Sequence, residues 1–282
     1  MNPITFLGEI QQMGDPRTRN YPLVVNPAFV FPLILGYLYF VKVAGPRWMK
    51  KREAFEIINI VRLYNLVMVV INAGFLYHLL RLTYLPGGRY SLWCQGITGY
   101  MDDELTGYYK YGWFFTAARY VDFLDTVFFV LRKKFSQITH LHVIHHTVVA
   151  ANVWFWTLFA PEGQVALGLA INEFVHVIMY SYYFLATLGP GMQKHLWWKK
   201  YLTKLQIAQF VVIIIHMCIP LFVNCGFPKY LIVLGVAQTF LILSLFINFY
   251  VHAYNRKGPS MESEKSSVAR DLRQKVANGK HD

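Results

Sequence analysis

Seven runs of about 20 apolar residues divide this sequence, at about 24–44, 60–82, 111–131, 143–160, 164–187, 203–223 and 230–251. A run of that length makes a helix that crosses ~30 Å of hydrocarbon, where each backbone N–H and C=O must find its partner inside the protein. Of the 282 residues, 55% are hydrophobic and only 15% charged, against about 25% charged in soluble domains. The bilayer is therefore the expected solvent. The expected fold is all-α and polytopic, seven transmembrane helices in a closed bundle that leaves a long apolar tunnel between them.

A net charge of +12 invites a nucleic-acid reading, but the cations fall in short clusters at alternate ends of the runs. Arg47, Lys50, Lys51 and Arg52 follow the first run, Arg132 to Lys134 the third, Lys194, Lys199 and Lys200 the fifth, and a tail from Arg256 to Lys280 the seventh. The intervening connections hold only Arg89, Lys110 and Lys229, with none in Pro161-Glu162-Gly163. By the positive-inside rule this predicts a lumenal N-terminus and a cytosolic C-terminus, with no nucleic-acid partner. Residues 1–20 read as a lumenal segment, 21–255 as the membrane domain and 256–282 as a flexible cytosolic tail. The first apolar run is long, contains Pro27 and Pro32 and lacks an Ala-x-Ala end, so it reads as its own insertion signal rather than a cleaved one. Lys280 stands where one lysine of an endoplasmic reticulum retrieval signal would, but the second lysine of such a signal is missing. Cys94, Cys218 and Cys225 have no zinc spacing. Cys94 and Cys225 fall in lumenal connections, where a disulfide is chemically allowed, and their pairing stays open.

Ionisable side chains inside spans are expensive and must face the protein interior. Arg119, Asp122, Asp125 and Thr126 recur at helical spacing on one face; the plain reading is an ion-pair network that holds helices in register. His140, His142, His145 and His146 come within seven residues, and the last three share a face. Asn172, His176, Tyr180 and Tyr183 form another stripe, with Glu173 to one side, and Thr203, Lys204, Gln206 and Gln209 a third. All these stripes fall in the expected cytosolic half, leaving a lumenal half that reads as apolar and aromatic. That asymmetry argues against a transporter or receptor, whose polar path would run through both halves. His78, His195, His216, His252 and His281 read as isolated core or surface residues.

Two chemistries suit the histidines. Imidazoles at HxxHH spacing bind iron in membrane desaturases and hydroxylases, but those enzymes use about eight ligands, and here only His176 joins the box. Acyl transfer is the alternative, because imidazole can attack a thioester directly or serve as general base. Asn172 and Gln206 would then donate hydrogen bonds to a developing oxyanion, Asp125 would orient a histidine, and the basic clusters would meet the phosphates of a coenzyme. Candidate catalytic residues are thus His142, His145, His146, His176, Asp125, Asn172 and Gln206. Candidate substrate-binding residues are Arg119, Asp122, Thr126, Tyr180, Tyr182, Thr203 and Lys204, with no metal site.

Six motifs, in order over about residues 20–255, resemble those of the eukaryotic membrane fatty acid elongases. Gly45-Pro46-Arg47-Trp48-Met49 with Arg52, Phe55, Tyr64 and Asn65 is similar to the first, with Ala54 where proline is usual. Arg119-x-x-Asp122-x-x-Asp125-Thr126 resembles Lys-x-x-Glu-x-x-Asp-Thr, and His142-Val-Ile-His145-His146 the histidine box, with Ile144 where an aromatic is usual. Asn172-x-x-x-His176-x-x-Met179-Tyr180, Thr203-x-x-Gln206-x-x-Gln209 and Phe246-x-Asn248-Phe249-Tyr250 resemble the rest. The resemblance implies a seven-helix enzyme of the endoplasmic reticulum that condenses a long-chain acyl-CoA with malonyl-CoA to 3-oxoacyl-CoA. It implies no metal or redox cofactor, and as partners the reductases and dehydratase of the elongation cycle. Gln137, five residues before His142, resembles the form in elongases of longer or unsaturated chains.

Overall fold

The computed structural model describes residues 2–99 and 103–255, and within these the regular structure is entirely helical. The tail 256–282, with Lys280, lies outside the described residues. Helix α1 (Pro3–Gln12) occupies the segment expected to be merely polar. Helix α2 (Pro27–Tyr39) begins where Pro27 supplies a preset first turn and the Asn26 side chain accepts the Ala28 N–H. It continues through a π-turn, Phe40–Ala44, into α3 (Gly45–Met49). Then come α4 (Ile58–Thr83), α5 (Asp103–Val121), α6 (Phe123–Leu131), α7 (His140–Phe159), α8 (Val165–Ala186), α9 (Pro190–Gln193), α10 (Lys199–Cys218) and α11 (Lys229–Tyr250).

Five stretches among the described residues are long and apolar enough to cross a bilayer: Pro27–Met49, Ile58–Thr83, Val165–Ala186, Lys199–Leu221 and Lys229–Tyr254. The chain is thus a multi-pass membrane protein. The third and fourth expected spans correspond to α5 with α6, and to α7. These helices carry Arg119, Asp122, Asp125 and the histidine box, which dilute their apolar character. Helices α5 and α6 are all but continuous: Asp122 stands at the break, and its N–H still reaches Ala118 O at 3.1 Å.

α4 packs along α8, α10 lies between α8 and α11, and α5 packs against α7. The largest apolar core joins α2 to α7 through Val30, Ile34, Val153, Trp154 and Leu158. The connections of the described residues gather at two ends. At one end Cys94 and Cys225 form a disulfide, Arg17 meets Glu162, and Gln164 reaches Trp93 O and His216 O. At the other, Phe55 N–H bonds Leu131 O at 3.0 Å, Arg62 bonds Thr187 O at 2.9 Å, and Tyr182 packs on Trp198. We call these the disulfide end and the basic end.

The end away from the histidine box was expected to be apolar and aromatic, and it is not. Glu162, Gln164 and His216 are all buried at the disulfide end, because the connections fold over them and supply their partners. His216 is therefore not isolated: it meets Gln164 and Leu92 O. Nor is His78, whose ring stacks on Tyr111 and bonds its hydroxyl at 3.0 Å.

Candidate active site

Arg119, on α5, is the hub of a buried network and only 1% exposed. Its Nη2 donates to Asn72 Oδ1 at 2.6 Å, and its Nη1 lies 2.5 Å from His176 Nδ1. The same nitrogen is 3.4 Å from Asp122 Oδ2 and 3.7 Å from Glu173 Oε1. A guanidinium has only donors, so His176 Nδ1 is the acceptor and the proton of the neutral ring sits on Nε2. A pair this deep holds only because each charge meets an opposite charge or a hydrogen bond.

Helix periodicity explains why α8 answers α5. Glu173, His176 and Tyr180 recur at three and four residues and all are buried. The Tyr180 hydroxyl donates to Asp122 Oδ1 at 3.0 Å and Asp125 Oδ2 at 2.8 Å, bridging two carboxylates one turn apart. Asp125 was expected to orient a histidine; its partner is Tyr180 instead, because Asp125 faces α8 rather than α7. The hydrogen-bond partner of His176 is Arg119, and that of His142 is Thr126.

The histidine box opens α7. Thr139 caps that helix, accepting the His142 N–H with its side chain, which starts the helix in time to put the box on one face. His142 Nε2 lies 2.8 Å from Thr126 Oγ1, which in turn lies 3.0 Å from the Tyr37 hydroxyl. The rings of His142 and His146 are 4.3 Å apart, and those of His145 and His146 are 5.5 Å apart. Among the described residues no three His, Cys, Asp or Glu side chains converge as metal ligands would.

His145 also faces an elongated cavity, which it lines together with Arg119, Asn172 and Glu173. The walls continue along α7 through Val149, Asn152, Val153, Trp156 and Thr157 to Ala160. Phe75 and Leu79 of α4, Ile213 and Met217 of α10, and Gly235 and Ile242 of α11 close the other sides. His145 and Ala160 are fifteen residues apart, so the cavity runs roughly 22 Å parallel to α7.

The remaining candidates lie toward the basic end. Gln206 turns its amide to Met179 Sδ at 3.5 Å, and Thr203 bonds Lys199 O within α10. Lys204 is exposed beside the Tyr201 and Tyr250 rings, and Tyr182 packs edge-on against Trp198. Three members of the network escaped the sequence reading as site residues: Asn72, Tyr37 and Glu173. Asn65 and Asn72 lie seven residues apart in an apolar helix and both are buried. That spacing was a signal of the same kind as the stripes in α5 and α8.

The model of the GNS1/SUR4 family matches residues 22–262. A very long chain fatty acid elongase of Aedes aegypti is 40% identical over 87% of this chain and 68% of its own length. The very long chain fatty acid elongase 7 of Drosophila melanogaster is 37% identical over 90% and 77%. Human very long chain fatty acid elongase 4 is 38% identical over 86% and 76%. The match takes in the Arg119 network, the histidine box and all the walls of the cavity but its N-terminal edge, and the chain belongs to the GNS1/SUR4 family of membrane fatty acid elongases.

Proposed function

We propose that this chain is the condensing enzyme of fatty acid elongation, joining a long-chain acyl-CoA to malonyl-CoA to give 3-oxoacyl-CoA, CoA and carbon dioxide. One observation carries the reading: His145 stands at the head of a mostly apolar cavity roughly 22 Å long. That is the length of an extended acyl chain of about seventeen methylenes.

In this reading His145 is the nucleophile. Its imidazole nitrogen attacks the thioester carbonyl, the C–S bond breaks, and CoA leaves as a thiolate that takes up a proton. Malonyl-CoA then loses carbon dioxide, and the enolate carbon attacks the acyl-imidazole. The C–N bond breaks and the departing imidazole nitrogen takes up a proton from solvent, which releases 3-oxoacyl-CoA and restores His145. His176 is the poorer nucleophile, because its Nδ1 is committed to Arg119 and its Nε2 carries the proton. That N–H suits a donor to the oxyanion or enolate, as does the amide of Asn172 at the head of the cavity. Neighbouring His142 and His146 supply the base, and Thr126 fixes the orientation of His142. Gln206, Thr203, Lys204 and Tyr182 belong to the entry side, where Lys204 and the basic clusters meet the phosphates of CoA.

The same reading takes the chain as seven crossings of the endoplasmic reticulum membrane with the disulfide end in the lumen. The grouping of connections at two ends supports it, as does a disulfide at the end poor in cations. Decarboxylation drives the carbon–carbon bond without a redox cofactor, so reduction and dehydration of the product fall to partner enzymes.

Purified protein incubated with a long-chain acyl-CoA alone tests the covalent step. The expected result is release of about one CoA per chain and an acylated peptide containing His145. No release and no adduct would overturn the acyl-enzyme, and an adduct on His176 alone would overturn the assignment between the two histidines.

A further inference from the structure

The walls of the cavity include one residue from the segment that precedes α2: Thr18, fully buried between α1 and α2. It stands with Tyr108, Tyr109, Ala160 and Pro161 at the disulfide end, the far end from His145.

This segment is pinned across the end. Asp15 N–H bonds Leu158 O, in the last turn of α7, at 2.7 Å. A Cβ at Gly14 would fall 2.8 Å from the same carbonyl oxygen, so only glycine lets the chain lie this flat on α7. Arg17 is gripped from both sides: it donates to Asp15 at 2.9 and 2.7 Å, and its Nη1 lies 2.5 Å from Glu162 Oε1. Its guanidinium also sits over the Tyr109 ring at 4.9 Å. Glu162 is fully buried and takes further hydrogen bonds from Tyr90 and Thr98. Such an ion pair is neither exposed nor screened, and its hydrogen bonds leave the carboxylate no unmatched oxygen. The N–H groups of Thr18 and Arg19 both return to Asp15 O, which closes the segment into a compact turn.

We propose that residues 14–18 form a strap that stops the tunnel, held by Arg17 and Glu162, and that Thr18 sets the longest acyl chain the cavity accepts. The proposal rests on reading the cavity as an acyl slot. A terminal methyl that reaches Thr18 meets a fully buried side chain carried on backbone that is fixed at Leu158 and Glu162. Each added pair of carbons would then require the strap to lift, which breaks the buried Arg17–Glu162 pair.

The test is competition between primers of increasing length for full-length enzyme and malonyl-CoA. Its readout is kcat/KM for the longest primer used by wild type, relative to a primer four carbons shorter. Thr18→Phe fills the end and should lower this ratio at least tenfold; an unchanged ratio overturns the proposal. Should Thr18→Phe turn over no primer at all, Thr18→Ala decides. It should raise the ratio for a primer two carbons beyond the wild-type limit at least threefold, and no rise overturns the proposal. A wild type that elongates no primer would reject the acyl-slot reading itself, a failure distinct from a wild type whose limit ignores Thr18.

Discussion

Arg119 Nη1 and His176 Nδ1 are 2.5 Å apart at the buried meeting of α5 and α8, and this contact fixes which nitrogen of His176 carries its proton. The same guanidinium balances Asp122 and Glu173. Arg119→Ala leaves both carboxylates without their cation, a change expected to cost about 3–5 kcal/mol and to lower turnover at least a hundredfold. Removal of the tail beyond residue 260 should leave turnover within twofold. Equal losses in steady-state assays of the two variants would contradict the role given to Arg119.

The Tyr180 hydroxyl is the shared donor of Asp122 and Asp125. Tyr180→Phe keeps the ring but leaves two neighbouring carboxylates facing each other, with an expected loss of about 1–3 kcal/mol. Thermal unfolding in detergent should show a clearly lower Tm, together with reduced activity. An unchanged Tm would mean that the two carboxylates do not depend on this bridge.

Thr126 links Tyr37 to His142 Nε2. Thr126→Val keeps the shape and removes the link, at an expected cost to stability of about 1 kcal/mol. Turnover should fall about tenfold, while Tyr37→Phe, one step further from the imidazole, should fall less. The opposite order in kcat would contradict the orienting role of Thr126.

The Cys94–Cys225 disulfide closes a loop of 131 residues at one end of the bundle. Cys225→Ser is expected to lose about 2–5 kcal/mol and to remove any effect of reductant on Tm. Wild-type protein should unfold at lower temperature in reductant, and indifference to reductant would contradict a structural role.

Burial pushes the Asp15 carboxyl up, but its hydrogen bonds to Arg17, with the charges of Arg17 and Arg19, outweigh this and hold its pKa below 3.8. A depressed carboxylate stabilises the fold above its unfolded value and loses that contribution as pH falls through its folded one. Protease protection of the strap should therefore persist at pH 5 and fail only below the ordinary carboxylate range, whereas loss between pH 5 and 7 would contradict this pairing.

Apolar runs, alternating cations and the stripe spacing made the helices and most of the network legible in the sequence. Arg119, Asp122, Asp125 and Thr126 do meet His142, His176 and Tyr180, because residues three and four apart share a helix face. Which partner each one takes was not legible. Asp125 meets Tyr180 rather than a histidine because helix rotation, which spacing leaves free, turns it toward α8. Asn72 was marked only by Asn65, two turns away on the same apolar helix, and that spacing does not say which helix the amide meets. The docking of residues 14–18 was invisible because a polar segment outside the spans carries no periodicity, and its partner Glu162 is 145 residues away from Arg17.

The most direct test of the account is the conversion of radiolabelled long-chain acyl-CoA by detergent-purified enzyme with malonyl-CoA, comparing wild type with His145→Ala. The account predicts 3-oxoacyl-CoA two carbons longer from the wild type and at least a hundredfold less from the variant. Product formed at the same rate by both, or by neither with any primer length, would contradict it.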